Sequence, residues 1–256
     1  MKKDFRVIQS IQRAIDIINC FDDTKYKLSL PEISEQLSLN INTTRGIVNT
    51  LLYNGFLEHD VEENKYSLGL VFIPKADFIS SHSVDRTRDI VRPYLKIIAE
   101  KYQVSSRLQL ISNFNIFTVE TINPENSRYI LLTRLNTPFP LYATSSGKLY
   151  LYYLDDKTKE NYLDTISYTK FTDKTITNKE ELKKELDFIK VQGYSCEFEE
   201  VGIGISSLAV PLLNEKNKLI GTISITASTP IIESICEDAI KDIKKIVKDI
   251  KDELIF

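Results

Sequence analysis

Along residues 8–21, IQSIQRAIDIINCF, Ile8, Ile11, Ile15, Ile18 and Phe21 recur at steps of three and four, the period of one helical face. A first helix is expected there. In SLPEISEQL, Ser29 and Glu32 have capping-box spacing and Pro31 falls in the first turn, where a missing N–H costs little, so a second helix is expected over about 30–37. After a short break Asn40 can cap a third helix of about 41–53. On it Ile47, Val48, Leu51 and Leu52 share one side, while Asn42, Arg45, Gly46 and Asn49, spaced i, i+3, i+4, i+7, share the other. The next segment, GFLEHDVEENKYSLG, reads as two short strands, about 56–59 and 65–68, around an acidic turn.

Three helices followed by a hairpin are the parts of a winged helix-turn-helix, which is assigned to residues 1–68. Residues 69–82 are helical in pattern but sparsely apolar, with Pro74 expected to kink them, and suit a linker helix. Residues 83–256 mix helices and strands. RTRDIVRPYLKIIAEKYQ is amphipathic apart from Pro93, and SSRLQLIS, IFTVETI and YILLTRL have strand character. Thr177 and Glu180 have the spacing of a cap for NKEELKKELDFIKVQ, which Gly193 closes. SLAVPLL and LIGTISITAS flank the polar turn NEKNK as a hairpin. In a last helix, about 233–254, Ala239, Ile240, Ile243, Val247, Ile250 and Leu254 oppose a solvated row of lysines. The fold class is α+β, with a largely antiparallel sheet and helices packed on it in the second domain.

Composition narrows the function classes. The chain of 256 residues is 42% hydrophobic and 27% charged, enough to bury a sizeable core, and a prior of about 150 residues per domain suggests two, one small and one larger. The N-terminus lacks the continuous apolar run of a secretion signal, and no stretch approaches the about 20 apolar residues of a membrane span, so a cytoplasmic protein is expected. Cys20, Cys196 and Cys236 are too few and too scattered for a disulfide framework or a zinc pattern and read as buried small hydrophobes. With His59 and His82 the only histidines, no metal site and no cofactor are expected. Net charge is −3, and residues 1–80 hold 9 Lys plus Arg against 11 Asp plus Glu, so any contact with a polyanion must be local.

The polar side of the third helix has the chemistry of such a contact. In a helix-turn-helix the second helix of the pair enters the major groove and its N-terminal residues reach base edges. Arg45 suits guanine O6 and N7, Asn42 or Asn49 suits adenine, and Thr43 or Thr44 suits phosphate or a thymine methyl. Gly46 lets the helix lie close, at about 1 kcal/mol of helix propensity relative to alanine. An ordinary solvent-facing helix would be filled with Glu and Lys, whereas residues 41–53 contain one charge. Phosphate contacts are expected from Lys2, Lys3, Arg6, Arg13, Lys65 and the N-terminus of the second helix, with His59 meeting solvent or a phosphate.

Taken together, VIQSIQRAIDIINCF, LSLPEISEQLSLNINTTRGIVNTLLYNGFLE, KYSLGLVFI, VRPYLKIIAEKYQVSS, PLYATSSGKLYLYYL and GYSCEFEEVGIGISSLAVPLLNEKNKLIGTISITAS resemble, in that order, the isocitrate lyase regulator (IclR) family of bacterial transcription factors. The resemblance implies a GAF-like second domain that binds a small, often carboxylate-bearing metabolite, and homodimers that can pair into homotetramers on double-stranded operator DNA. It places the effector pocket at Ser145, Ser146, Glu197, Ser207, Ser224 and Thr226. Ser206 and Ser207 stand where members of the family often have Arg and Cys, so effector identity does not transfer. The residues themselves support part of this. Thr222, Ser224 and Thr226 alternate with Ile223 and Ile225, giving one strand face a row of hydroxyls that needs partners if it points inward. Those partners are either a metabolite or neighbouring polar groups. TSSGK is expected to open a helix capped by Thr144, whose N–H groups favour a carboxylate, with Lys148 in reach and Glu197 accepting from effector hydroxyls.

The expected function is a ligand-responsive, sequence-specific DNA-binding regulator that controls a catabolic operon, by repression or activation, in response to an organic or sugar acid, and not an enzyme. Two other readings stay open. Ser145 and Lys148 form S-x-x-K, the spacing of a serine nucleophile beside a lysine base, although no S-D-N or K-T-G segment accompanies it. The acidic balance also fits a docking module that binds protein rather than DNA.

Overall fold

In the computed structural model, residues 7–22, 24–79, 84–125 and 140–254 are described, and they form two compact units, one ending at residue 79 and one beginning at 84. The YILLTRL segment, Lys2, Lys3, Arg6 and His82 lie outside the described residues.

The N-terminal unit begins with α1 (Gln9–Ile18), α2 (Leu30–Gln36) and α3 (Ile41–Tyr53). The capping box of α2 forms as expected: Ser29 Oγ accepts from Glu32 N while the Glu32 carboxylate accepts from Ser29 N at 2.7 Å. Asn40 caps α3 by accepting from Asn42 N at 2.9 Å. A hairpin of β1 (Leu57–Asp60) and β2 (Lys65–Leu68) follows, and Leu28 adds an antiparallel bridge to Tyr66 that the pattern did not reveal. Ile17, Phe21, Leu28, Ile33, Val48, Leu51 and Leu57 make the core.

The first helix differs from expectation. Of its predicted apolar ridge, Ile8, Ile11 and Ile15 are 60%, 56% and 45% exposed, while Ile18 and Phe21 do reach the core, together with Ile17 and Cys20 of the adjacent face. In the segment expected to be a linker, helix α4 (Phe72–Ile79) starts only two residues before Pro74, which therefore sits in the first turn, has no intrahelical amide bond to lose and breaks nothing.

Among the described residues the C-terminal unit is built on a five-stranded antiparallel sheet of β3 (Ser105–Ser112), β4 (Asn115–Ile122), β5 (Ser195–Phe198), β6 (Ile205–Leu213) and β7 (Leu219–Ser228), in the order β4-β3-β7-β6-β5. Helices α5 (Asp85–Tyr102) and α9 (Thr229–Ile250) cover one face, packing Val91, Leu95, Ile98, Ile232 and Ile243 on Leu108, Leu208, Ile223 and Ile225. On the other side lie α6 (Ser145–Tyr153), α7 (Asp156–Thr165) and α8 (Lys179–Gln192), whose Leu149, Leu151, Leu163, Leu182 and Ile189 form a second core with Ala209.

Two boundaries shift. Asn178, not Thr177, caps α8, accepting from Glu181 N at 2.9 Å, because Asn is at least as good a cap and Asn178 takes the extended backbone that the role requires. The last helix begins at Thr229, four residues before the apolar period becomes regular, since Pro230 is tolerated in its first turn.

Candidate functional site

On α3 the two stripes separate as the spacing predicts. Asn42, Thr43, Arg45, Gly46 and Asn49 are exposed, while Val48 and Leu51 are buried and Ile47 and Leu52 pack against the core. Arg45 and Asn42 lie one turn apart, the guanidinium 3.5 Å from Asn42 Oδ1. Thr44 is the exception and must be removed from the exposed set: it is fully buried, and its hydroxyl donates to the Asn40 carbonyl at 3.2 Å, locking the start of the helix. Gly46 is bare, and a Cβ built on it would meet nothing within 4 Å.

Arg13 and Lys65 lie on other elements, α1 and β2, and both are half-buried. The N-terminus of α2 is not an anion site, because the Glu32 carboxylate already occupies it, held in its ionised form by hydrogen bonds from Ser29. On the wing His59 is exposed, stacks on Tyr66 at 4.6 Å between ring centroids and contacts Asn64 Oδ1 at 3.2 Å. Lys27 is ion-paired to Asp60 and Glu63.

In the C-terminal unit the antiparallel register assembles a polar face. Residues directly opposite one another share a face. One transverse row therefore runs Ser105, Thr226, Ser207, Glu197 across four strands, and the next runs Arg107, Ser224, Ala209, Ser195. Thr222 and Gln109 pair in the row beyond. The alternate residues, Leu108, Ile223, Ile225 and Leu208 among them, form the apolar face under α5 and α9.

α6 closes on the polar face with its N-terminus. Thr144 caps it, accepting from Gly147 N at 3.1 Å, and Gly147 is required: a Cβ there would lie 2.2 Å from the Leu141 carbonyl oxygen. The two serines that open α6 meet the sheet directly. Ser145 Oγ is 2.8 Å from Ser207 Oγ, and Ser146 Oγ lies 2.8 Å from Thr222 Oγ1 and 2.6 Å from Gln109 Oε1. Ser224 donates to the same Gln109 oxygen at 2.9 Å, Ser207 donates to Glu197 Oε1 at 3.2 Å, and Arg107 donates to Thr226 at 2.8 Å. All six residues named for this site from the sequence thus fall in one buried cluster, whose hydroxyls hydrogen-bond to neighbouring side chains here. Ser195 is buried in the second row with its hydroxyl unpartnered. Two open grooves, of about 560 and 550 Å³, lie elsewhere, along α5 and between α7 and α8.

Charge is buried with these hydroxyls. Desolvation pushes the Glu197 carboxyl up to about 7, against a backbone hydrogen bond from Glu200 N at 3.0 Å. It also raises Glu200, which is partly offset by ion pairing to Lys148. Lys148, expected in reach of a carboxylate at the α6 N-terminus, is 1% exposed and committed elsewhere: besides Glu200 it donates to the Cys196 carbonyl at 3.2 Å and approaches Glu185 at 3.4 Å. Arg107 is 7% exposed, and burial lowers the pKa of its guanidinium.

Comparison with known proteins decides the family. The model described as the IclR helix-turn-helix domain matches residues 10–61, and that of the bacterial transcriptional regulator IclR C-terminal domain matches residues 80–254. The chain belongs to the IclR family of bacterial transcriptional regulators. It is 26% identical over 227 residues to the HTH-type transcriptional regulator XynR of Escherichia coli (strain K12), covering 89% of each chain. Among solved structures it is similar to an IclR transcriptional regulator from Alicyclobacillus acidocaldarius, with a TM-score of 0.79 and 24% identity over 96% of this chain and 98% of that one. It is also similar to an IclR homologue from Microbacterium hydrocarbonoxydans complexed with 4-hydroxybenzoate, with a TM-score of 0.76 and 18% identity over 96% and 98% of the two chains. As an IclR regulator the protein is a ligand-responsive DNA-binding transcription factor.

The acyl-transfer pairing of Ser145 with Lys148 is not formed in this IclR chain. Ser145 bonds to Ser207, and the Lys148 ammonium is committed to Glu200 and a backbone carbonyl, so the hydrogen bond that a lysine base needs to its serine is absent among the described residues. Arg107, Gln109, Ser195 and Glu200 went unassigned in the sequence. The signal for the first two was present in SRLQL, where a cation and an amide alternate with two leucines on a strand that must be buried.

Proposed function

We propose that this IclR regulator, a cytoplasmic protein without enzymatic activity, binds a partly palindromic operator as a homodimer or a pair of dimers, inserting α3 into the major groove. The domains of this reading are the winged helix-turn-helix at 1–68, the linker helix at 69–82 and the effector-binding domain at 83–256. Asn42, Arg45 and Asn49 read base edges, Thr43 contacts phosphate or a thymine methyl, Gly46 permits close approach, and Arg13 and Lys65 reach phosphates. The observation that carries this is the exposed side of α3, a helix fixed by an Asn cap and a buried apolar face yet nearly free of the charges that ordinarily solvate a helix. A second copy is supported by exposed apolar groups that a monomer gains nothing by showing to water: Ile8, Ile11 and Ile15 of α1, and Ile73, Phe78 and Ile79 of α4.

The effector in this reading is a small carboxylate-bearing metabolite held between the α6 N-terminus and the polar sheet face. Ser145 and Ser146 donate to its carboxylate, Arg107 supplies positive charge, and Ser207, Ser224, Thr226 and Glu197 bind its remaining polar groups. The hydroxyls that bond to one another here exchange those bonds for bonds to the ligand, and Ser195 offers one more hydroxyl without a partner. The family fold holding 4-hydroxybenzoate in the Microbacterium homologue favours this ligand class.

The test is fluorescence anisotropy on duplexes from the protein's own upstream region. Arg45→Ala should relax base preference at one position in each half-site and cost about 1–3 kcal/mol. Binding that ignores both the substitution and salt concentration overturns the DNA reading. Ser224→Val with Thr226→Val should retain DNA binding while the thermal shift given by a responding acid, from a panel beginning with 4-hydroxybenzoate, disappears. An unaltered shift removes those residues from the pocket.

A further inference from the structure

Cys196 and Cys236 stand 40 residues apart in the chain, but their sulfurs lie 3.8 Å apart. Cys196 is buried on the apolar face of β5, and Cys236 is half-buried on α9, which packs against that face. Cys20 belongs to the other unit, where its thiol faces the Asp16 carbonyl at 3.3 Å. We propose that Cys196 and Cys236 form an oxidation site, a dithiol that a peroxide converts to an intrachain disulfide tying β5 to α9.

The two thiols are unequal in a way that suits stepwise oxidation. Either thiol can donate to the other, and the neighbouring sulfur together with burial pushes the Cys196 thiol up, leaving the less buried Cys236 the lower of the two. Cys236, the more exposed of the two, is therefore the thiolate that reacts first. Its sulfur attacks one peroxide oxygen, the O–O bond breaks, and the departing hydroxide takes a proton to leave as water, giving a sulfenic acid. The Cys196 sulfur then attacks the sulfenic sulfur, giving up its proton as the S–O bond breaks and a second water leaves. Each sulfur has lost one electron, and the peroxide has been reduced to two waters. Closing the pair requires the sulfurs to approach from 3.8 Å to about 2.05 Å.

The site bears on the polar cluster through β5. That strand has four residues, lies at the edge of the sheet and, among the described residues, pairs with β6 on one side. Glu197 follows Cys196 directly, and the Cys196 carbonyl accepts from Lys148. A disulfide would fix the strand that presents Glu197, making the pocket respond to oxidant as well as to ligand.

Full-length protein treated with hydrogen peroxide should lose about 2 Da, and its titratable thiols should fall from three to one. A non-reduced digest should contain one peptide pair joining Cys196 to Cys236. Amide hydrogen exchange in β5 should slow about tenfold on oxidation and recover with dithiothreitol. Cys20→Ser should preserve all of this, and Cys236→Ser should abolish the mass loss. Oxygen addition at the cysteines without the cross-linked pair, or intermolecular dimers in its place, in both the wild type and Cys20→Ser, would overturn the proposal; the wild-type digest decides even if Cys236→Ser fails to fold.

Discussion

Gly46→Ala separates what α3 does for the fold from what it does on DNA, because the two effects have opposite signs. Gly46 lies mid-helix on the exposed side, and an added Cβ meets no atom within 4 Å. Alanine should therefore stabilise the N-terminal unit by the helix-propensity difference of about 0.8–1 kcal/mol, part of it from the reduced freedom of the unfolded chain. For a unit of this size that is a rise of roughly 4–8 °C in its calorimetric transition. If α3 lies against base edges, the same methyl displaces its backbone from the groove. Affinity for the operator, measured by anisotropy at fixed salt, should then fall about tenfold, or about 1.4 kcal/mol, for each half-site engaged. A glycine kept for the fold would give the reverse stability change. A higher transition temperature with unchanged or tighter operator binding would refute the close approach, and with it the docking of this side of α3.

Three further predictions test the effector domain. Glu197 is 5% exposed, and its folded pKa of about 7 exceeds the unfolded value, so its contribution to stability is complete at low pH and is lost as pH rises through 7, by up to about 3 kcal/mol. Urea unfolding from pH 5 to 8 should show this decline flattened in Glu197→Gln; parallel curves would contradict the buried protonation. Lys148→Ala leaves Glu200 buried without its cation and should cost about 3–5 kcal/mol, whereas Lys148→Met with Glu200→Leu should recover most of that loss in the same assay. Gly147→Ala drives a methyl into the Leu141 carbonyl and should cost about 3 kcal/mol, and wild-type stability would show that the tight approach is unnecessary.

The helix-turn-helix was readable because its signals are local. Ser29 with Glu32, and Asn40 before an apolar period, mark helix starts within four residues, and both caps form. The same locality explains the failures. Ile8, Ile11 and Ile15 have the period of a core ridge, but periodicity cannot say which apolar face meets the chain's own core, and here the neighbouring face does. Residue type makes Thr44 as good a DNA contact as Thr43, although its position, four before Val48, places it on the buried side. Glu197 and the hydroxyl row of β7 were found, the first through the family resemblance and the second by strand alternation. Arg107 and Gln109 were not, because what matters about them is their register against β7, set by pairing across more than a hundred residues. Cys196 and Cys236 were called scattered for the same reason.

The polar face also has a thermodynamic reading. Buried hydroxyls that only satisfy one another gain little over apolar side chains of the same shape, and replacing both members of such a pair is often neutral or stabilising. Ser145 with Ser207, and Ser146 with Thr222, come close to this: each pair has one further bond, to Glu197 and to Gln109, and those acceptors keep hydrogen bonds from Glu200 N and Ser224, in a unit whose other sheet face is a continuous apolar core. Folding alone gives no reason to keep them. Apolar substitution at both members of one pair should therefore leave the melting temperature level or raise it while removing the response to ligand. If the pair instead proves necessary for folding, the polar face is structural, and the pocket has to be sought outside the α6 N-terminus.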